Sequence, residues 1–294
     1  MDRRTFISGA MALLLVGCGR RRRTIAIGTK NFTEQLILGE MLAQVIERTA
    51  RLPIERRFYL AGSYICHQAI LAGRIDMYVE YTGTALTAIL KQPPQSDRAK
   101  VFEIVRNQYR QRFGLEVLPS LGFDNSFAMV MRGDEAKQYN LRTLSDLAAV
   151  APHMRMGVGY EFLERPDGYP GLIKTYGLKF AESPRVMDLG LLYRALQSKQ
   201  VDIVAGSNTD GLIAALGLVV LEDDRHYFPP YEAVPIVRPQ MLQEQPPVQA
   251  AIQDLLGRIS ADDMRHLNYA VDGEKKDASQ VVEQYLREHL LVTT

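Results

Sequence analysis

The chain has 294 residues, of which 47% are hydrophobic and 23% charged, and its formal net charge is +1. This composition excludes a disordered or low-complexity protein. Residues 1–23 hold six arginines and one acid, so residues 24–294 carry a net charge of −4, which argues against a nucleic-acid-binding protein. A folded part of about 270 residues is near the size at which one core divides, which predicts two lobes.

The N-terminus has the pattern of an export signal. After a basic start, an apolar run covers residues 10–16, which is too short to span a bilayer. Residues 15–18 (LVGC) resemble a bacterial lipobox, which implies a lipoprotein signal peptide over residues 1–17 and a lipid on Cys18. We therefore expect an extracytoplasmic protein held on the cell membrane, with residues 18–23 as a basic linker.

The cysteine content bears on that expectation. Cys66 is the only cysteine besides Cys18, so a lipidated Cys18 leaves no partner for an intramolecular disulfide. The alternative interpretation is that Cys18 is incidental and lies beside an ordinary cleavage site.

Residues 24–131 then alternate predicted strands with predicted helices. Residues 24–28 predict a strand, and in the helix that follows Asn31 and Glu34 have the spacing of a capping box. Lys30 lies in the turn between them, and such turns form the ligand-binding edge of open α/β sheets. Further strands are predicted near residues 54–60, 75–80 and 126–131, with helices near 63–72, from Thr82 and over 96–113.

Residues 141–222 have the pattern of a second α/β unit, and residues 223–235, rich in proline and aromatics, are predicted to return the chain to the first. This predicts an α/β fold of two lobes, each a sheet flanked by helices, around a cleft. Lobe 1 is assigned residues 24–124 and 229–294, and lobe 2 residues 125–228. The remaining predicted strands are 154–158, 201–205 and 218–221, and the helices are 145–150, 170–176, 189–198, 247–259 and 279–291.

Enzyme chemistry has no support in the sequence. The five histidines are scattered without metal-ligand spacing, and no nucleophile, phosphate-binding or dinucleotide-binding motif is present. Acidic runs such as Asp262-Asp263 are most simply loops or helix starts. The sequence predicts no catalytic residue, no metal site and no cofactor.

Several motifs follow one another in the order of a known family. They extend over essentially the whole chain after the predicted signal peptide. They are residues 28–35 (GTKNFTEQ), 69–76 (AILAGRID), 80–84 (EYTGT), 161–168 (EFLERPDG), 192–196 (LYRAL), 201–203 (VDI), 209–211 (TDG) and 228–231 (FPPY).

These motifs resemble the substrate-binding proteins of glycine betaine/carnitine/choline ABC transporters, an osmoprotectant-uptake family. The resemblance implies a type II periplasmic-binding-protein clamp that acts as a monomer. It closes on a small zwitterionic or cationic solute and delivers it to a membrane permease and its ATPase.

The resemblance also implies a binding site. A quaternary ammonium group is attracted to aromatic faces, and a carboxylate to lysine, arginine or backbone amides. Carried over by motif, the carboxylate ligands are Lys30 and Thr84 from lobe 1 and Arg165 from lobe 2. Tyr81 and Tyr231 are the cage faces, with Asn125 and Phe127 at the lobe crossing.

Two positions depart from the family pattern. Phe127 stands where members with a full tyrosine cage have tyrosine, and Ser207 stands where many have another tyrosine. Tyr193 or Tyr160 could replace the missing wall. The ligand therefore stays open among a small betaine, a larger betaine such as carnitine or a trimethylated amino acid, and a different zwitterion. A sensor or an enzyme on the same fold is the remaining alternative.

Overall fold

The computed structural model describes residues 24–289. The predicted signal peptide over residues 1–17, the lipidation site Cys18 and the basic linker lie outside them. Within the described part no helix is long and apolar enough to cross a membrane. The fold consists of two five-stranded sheets with helices packed on them, which confirms the predicted two-lobed α/β architecture.

Ten strands form the two sheets. They are β1 Ile25–Lys30, β2 Ile54–Ala61, β3 Met77–Tyr81, β4 Glu116–Val117, β5 Phe127–Arg132, β6 Met156–Val158, β7 Arg185–Val186, β8 Ile203–Ser207, β9 Leu218–Leu221 and β10 Ala233–Val237.

The two sheets share one topology. Their strand orders are β2-β1-β3-β10-β4 and β7-β6-β8-β5-β9. In each, three parallel strands come first, and the fourth strand, β10 or β5, runs antiparallel to its neighbours. Parallel strands need crossover helices, which explains the alternating sequence pattern.

Fourteen α-helices of the described part connect and cover these strands. They are α1 Thr33–Val45, α2 Ser63–Leu71, α3 Thr82–Thr84, α4 Arg98–Gln108, α5 Gly133–Gln138, α6 Leu144–Val150, α7 Tyr160–Glu164, α8 Tyr169–Tyr176, α9 Leu192–Gln197, α10 Leu212–Ala215, α11 Pro239–Glu244, α12 Pro246–Gln253, α13 Ala261–Asp272 and α14 Ala278–His289.

Each sheet has an apolar cluster on both faces. In β3 the side chains alternate, so Met77 and Val79 pack with α1, while Tyr78 packs on the opposite face with Cys66 of α2. This is the period of two expected for a strand buried on both faces. Cys66 is a fully buried free thiol, and burial raises its pKa to about 12.

Two segments, residues 118–126 and 222–232, connect the sheets and run side by side. Asp124 and Glu232 form an antiparallel bridge, and the Asn125 amide donates to the Tyr231 carbonyl at 3.0 Å. Gly122 begins this crossing at a φ of 124°, where a Cβ would lie 2.7 Å from the Ile259 carbonyl oxygen. A side chain is therefore excluded there. The predicted lobe boundaries fall within these segments and stay a prediction.

The structure differs from the sequence predictions at several helix starts. The capping box of Asn31 and Glu34 is wrong, because α1 has Phe32 at its N-cap without a side-chain cap. The acidic run at Asp262 begins α13, which the sequence pattern did not identify as a separate helix. A capping box between Ser260 and Asp263 starts it. The helix predicted over 247–259 ends earlier, at Gln253.

Candidate ligand-binding site

A cavity of about 800 Å³ lies between the two sheets. Each of the eight side chains predicted to bind ligand lines it. Strand ends and the crossing segments bring them together, because the carboxyl ends of parallel strands share one edge of a sheet. They are Lys30, Tyr81, Thr84, Asn125, Phe127, Arg165, Ser207 and Tyr231.

Arg165 follows α7 in lobe 2 and is 3% exposed. Its Nε donates to Asp167 Oδ1 at 3.0 Å, and its Nη2 pairs with Asp167 Oδ2. The Tyr231 hydroxyl also donates to Asp167, at 2.6 Å. Burial by itself raises the pKa of Asp167, but the charge and hydrogen bonds of Arg165 outweigh it and hold the pKa below its usual value. Asp167 thus occupies one edge of the guanidinium.

The other edge of Arg165 crosses the cleft. Its Nη1 donates to the Thr84 hydroxyl of lobe 1 at 3.0 Å. The guanidinium carbon lies 5.0 Å from the ring centre of Phe127 and 5.7 Å from that of Tyr231, within cation–π range. Nη1 and Nη2 each keep one N–H that these hydrogen bonds do not use, so Arg165 has donors left for a bound carboxylate.

Lys30 is the last residue of β1 and is 2% exposed. Its ammonium pairs with the buried Glu80 carboxylate and lies 4.5 Å from the centre of the Tyr81 ring. An ammonium carries three donors, so Lys30 keeps donors for a second acceptor in the cavity.

Glu34, at the start of α1, is a cavity residue that the sequence reasoning assigned to helix capping. Its Oε1 accepts from the Tyr81 hydroxyl at 2.6 Å and from the Asn125 amide. Its Oε2 accepts from the Thr209 hydroxyl at 2.5 Å and from the Asn268 amide at 3.0 Å. The Glu34 carboxylate therefore joins lobe 1, the connecting segment 118–126 and lobe 2.

A tyrosine from a neighbouring helix lies beside Ser207. Tyr193 of α9 packs against Gly206, where a Cβ would lie 2.3 Å from its hydroxyl oxygen. That hydroxyl donates to Asp210, which also accepts from the Ser207 amide at 2.9 Å. Burial raises the pKa of Asp210 to about 7, although both hydrogen bonds lower it. Tyr193 lines the cavity beside Ser207.

Tyr160, the other candidate for the missing wall, also lines the cavity but is 66% exposed. Phe127 contacts three further rings at centroid distances of 4.8 to 5.8 Å. These rings are Phe162, Phe228 and Tyr231.

Sequence reasoning missed the roles of several polar residues at the site, and four of these are Glu34, Asp167, Asp210 and Asn268. Three of them stand inside the family motifs, so the signal was present, but the motifs did not say what each side chain contacts. Asn268 lies in α13, outside all the motifs. Among residues 24–289 no group of three or more histidine, cysteine and acidic side chains is arranged to hold a metal ion.

Known proteins share this fold and sequence. A family model of the substrate-binding domain of ABC-type glycine betaine transport systems matches residues 23–288. The chain is 35% identical over 273 residues to the carnitine transport binding protein of Listeria monocytogenes, covering 92% of this chain and 88% of that protein. It is 34% identical over 266 residues to the ergothioneine transport permease/ergothioneine binding protein of Helicobacter pylori, covering 90% of this chain and 47% of that protein.

A solved structure of a glycine betaine/carnitine/choline ABC transporter protein superimposes with a TM-score of 0.75 at 35% identity. It covers 90% of this chain and 98% of that one. These matches confirm the resemblance that the motifs indicated. The chain belongs to the substrate-binding proteins of ABC-type glycine betaine importers, which capture a small quaternary ammonium solute outside the cytoplasm for a membrane permease.

Proposed function

We propose that this chain binds a betaine, a zwitterion with a quaternary ammonium group and a carboxylate, through the eight residues predicted from sequence. One observation carries the proposal: aromatic faces and fixed cations from both lobes line a single cavity. Relatives named for carnitine and for ergothioneine support the same ligand class.

The carboxylate of the ligand is proposed to bind at Arg165, Thr84 and Lys30. Both cations already have an acidic partner, Asp167 and Glu80 respectively. Each ion pair is buried and has almost no net charge. A ligand carboxylate would therefore be bound by directed hydrogen-bond donors and not by a strong net positive charge. Charge-assisted hydrogen bonds of this kind are roughly twice as strong as neutral ones.

The ammonium group is proposed to lie against Tyr81, Phe127 and Tyr231, with Tyr193 beside Ser207 completing the enclosure. The first three rings already lie within about 6 Å of a protein cation. The carboxylates of Glu34 and Asp210 add a negative potential on the side of Asn125. The aromatic faces and these two carboxylates together favour a permanent cation.

Ligand binding is proposed to favour the closed clamp, with the boundaries at residues 124/125 and 228/229 as its hinge. Arg165 lies in lobe 2 while Lys30 and Tyr81 lie in lobe 1, so only the closed form offers all contacts at once.

Calorimetric titration of residues 24–294 tests the proposal. This piece contains every described strand and helix of both sheets. After unfolding and refolding to remove bound solute, it is titrated with glycine betaine, choline, carnitine, proline betaine and a trimethylated histidine derivative. We expect at least one betaine to bind, and Tyr81→Ala to weaken it about tenfold or more.

Tyr78→Ala is the matched control, because Tyr78 lies in the same strand β3 as Tyr81 but is buried on the opposite face of the sheet. It should lower stability while leaving affinity unchanged. Absence of heat with every compound in the panel would contradict the proposed ligand class.

We also propose that Cys18 carries the lipid anchor and that the clamp works as a monomer. Incorporation of labelled palmitate into the full chain, lost in Cys18→Ala, tests the anchor. Light scattering of residues 24–294 tests the monomer.

A further inference from the structure

The exposed apolar side chains of this chain concentrate around one opening. Of the eleven large apolar side chains exposed among the described residues, six line the cavity. They are 37–66% exposed and come from both lobes, which makes a patch instead of the scattered distribution normal on a surface. We call them the mouth: Tyr59, Tyr64, Ile65, Tyr160, Val186 and Leu189.

One of these rings lies on a strained part of the backbone. Tyr59 has a φ of 60°, in the left-handed region that is unusual for a bulky residue. Its amide donates to the Thr29 hydroxyl at 2.9 Å, where the pairing of β1 with β2 changes register. Such strain persists where the surroundings enforce it, often at ligand clamps. The position of Tyr59 is therefore built into the strand.

The mouth stays open while the lobes touch. Glu161 Oε1 of lobe 2 accepts from the Ser63 amide of lobe 1 at 2.7 Å. Gly62 permits this approach, since a Cβ there would lie 2.1 Å from the same oxygen. Together with the contacts from Arg165 to Thr84 and from Thr209 to Glu34, this bridges the cleft at several points. The cavity of about 800 Å³ thus belongs to a form whose lobes already meet.

That volume lies in the range of pockets that take drug-sized ligands, and a small betaine fills only a fraction of it. We propose that the mouth is an outer subsite for an apolar or aromatic arm carried by the zwitterionic ligand. This inference rests on the proposed function, because the head group of the same ligand occupies the proposed betaine site. The preferred substrates are then betaines with a larger substituent than methyl.

A homologous series of ligands tests the subsite. N-alkyl-N,N-dimethylglycines keep the head group of glycine betaine and lengthen one substituent on nitrogen from methyl to hexyl. Each methylene that becomes buried should raise the affinity of residues 24–294 about three- to fourfold. The double variant Val186→Ala/Tyr64→Ala should remove most of this gain and leave the affinity for glycine betaine unchanged.

A matched control is Val220→Ala/Tyr139→Ala, which removes two side chains of similar exposure that do not line the cavity. It should retain the full gain. The inference would be overturned if glycine betaine binds but affinity stays constant or falls as the N-alkyl substituent lengthens. The proposed function would then remain intact. If no member of the series binds and the panel of small betaines is also silent, the proposed function fails and this inference fails with it.

One further result would reassign the mouth. This result has two parts: affinity does not depend on the length of the alkyl substituent, and the mouth variants abolish uptake in cells while they bind ligand normally. The mouth would then contact the permease instead of the ligand.

Discussion

The inner end of the cavity and its mouth differ in how their side chains are held. At the inner end Lys30, Thr84, Arg165 and Tyr231 are each 3% exposed or less, and each charge has a partner. At the mouth the side chains are exposed and apolar, and Tyr160 reaches 66%. The inner end is thus rigidly held. Under the proposed function it is preorganised for one kind of head group, while the mouth leaves room for variation in the rest of the ligand.

The largest effect is expected at the inner end from Arg165→Ala. The change leaves Asp167 as a buried carboxylate without its cation, which should destabilise the fold by about 3–5 kcal/mol. It should also weaken betaine binding by about 100-fold, because a charged contact is lost. Thermal unfolding and calorimetry measure the two effects.

The control for Arg165→Ala is Arg132→Ala. Arg132 is also buried and paired, with Glu135 and Asp202, but does not line the cavity. It should lower stability and leave affinity unchanged. Equal loss of affinity in both variants would show that the loss comes from destabilisation of the fold and not from the position of Arg165 in the cavity.

A second large effect is expected from Glu34→Gln. The carboxylate accepts four hydrogen bonds, and an amide would place a donor against two of these donors. Unpaired buried donors cost about 1–3 kcal/mol each. The variant should therefore unfold at lower urea and scatter X-rays as a more open clamp. Glu40→Gln, on the same helix but paired with Arg56, should leave the scattering curve unchanged, and an opening there too would count against the role of Glu34.

A smaller effect is expected from pH. Since burial raises the pKa of Asp210 to about 7, its carboxyl is mostly protonated below that pH and charged above it. Affinity for a quaternary ammonium ligand should rise a few-fold between pH 6 and 8 through the added charge. Calorimetry between pH 6 and 8 should show that the rise in affinity disappears in Asp210→Asn. A rise that persists in the variant would show that Asp210 is not its cause.

The same shift has a consequence for stability. The folded state keeps a proton on Asp210 between about pH 4 and 7 that the unfolded state releases. The contribution of this group to stability is therefore present at low pH and is lost as the pH rises through that window. Urea unfolding of the protein and of Asp210→Asn at both ends of the window measures it.

The smallest effect is expected at the mouth, from Tyr64→Phe. The Tyr64 hydroxyl accepts from Lys91 at 2.7 Å in an exposed position, so its loss should change the free energy of unfolding by no more than about 0.5 kcal/mol. Affinity for glycine betaine should be unchanged within error. A clear loss of affinity would show that the mouth also holds the head group.

Most of the strands and helices could be predicted because their apolar periodicity reports burial directly. Five of the eight proposed binding residues could be named because they stand inside motifs, and the sheet edge then brings Lys30 and Tyr81 to one place. Glu34 shows the limit. Its spacing from Asn31 fits a local cap, but two of its partners lie 175 and 234 residues away, and no local pattern reports contacts at that separation.

The wall beside Ser207 shows the same limit in another form. The chain lacks a tyrosine there, and the nearby ring comes from Tyr193 on a separate helix. Gly206 admits that ring because it has no side chain of its own. The position of Tyr193 depends on packing between separate elements, which a sequence motif does not encode.

The insertion of β10 between β3 and β4 has a consequence for how the chain is completed. Lobe 2 takes its five strands from one continuous stretch, whereas the sheet of lobe 1 lacks its fourth strand until residues 233–237 arrive. Contacts of such long sequence separation form slowly. Lobe 2 can therefore fold while lobe 1 still exposes two unpaired strand edges, which makes lobe 1 the part most in need of protection from aggregation.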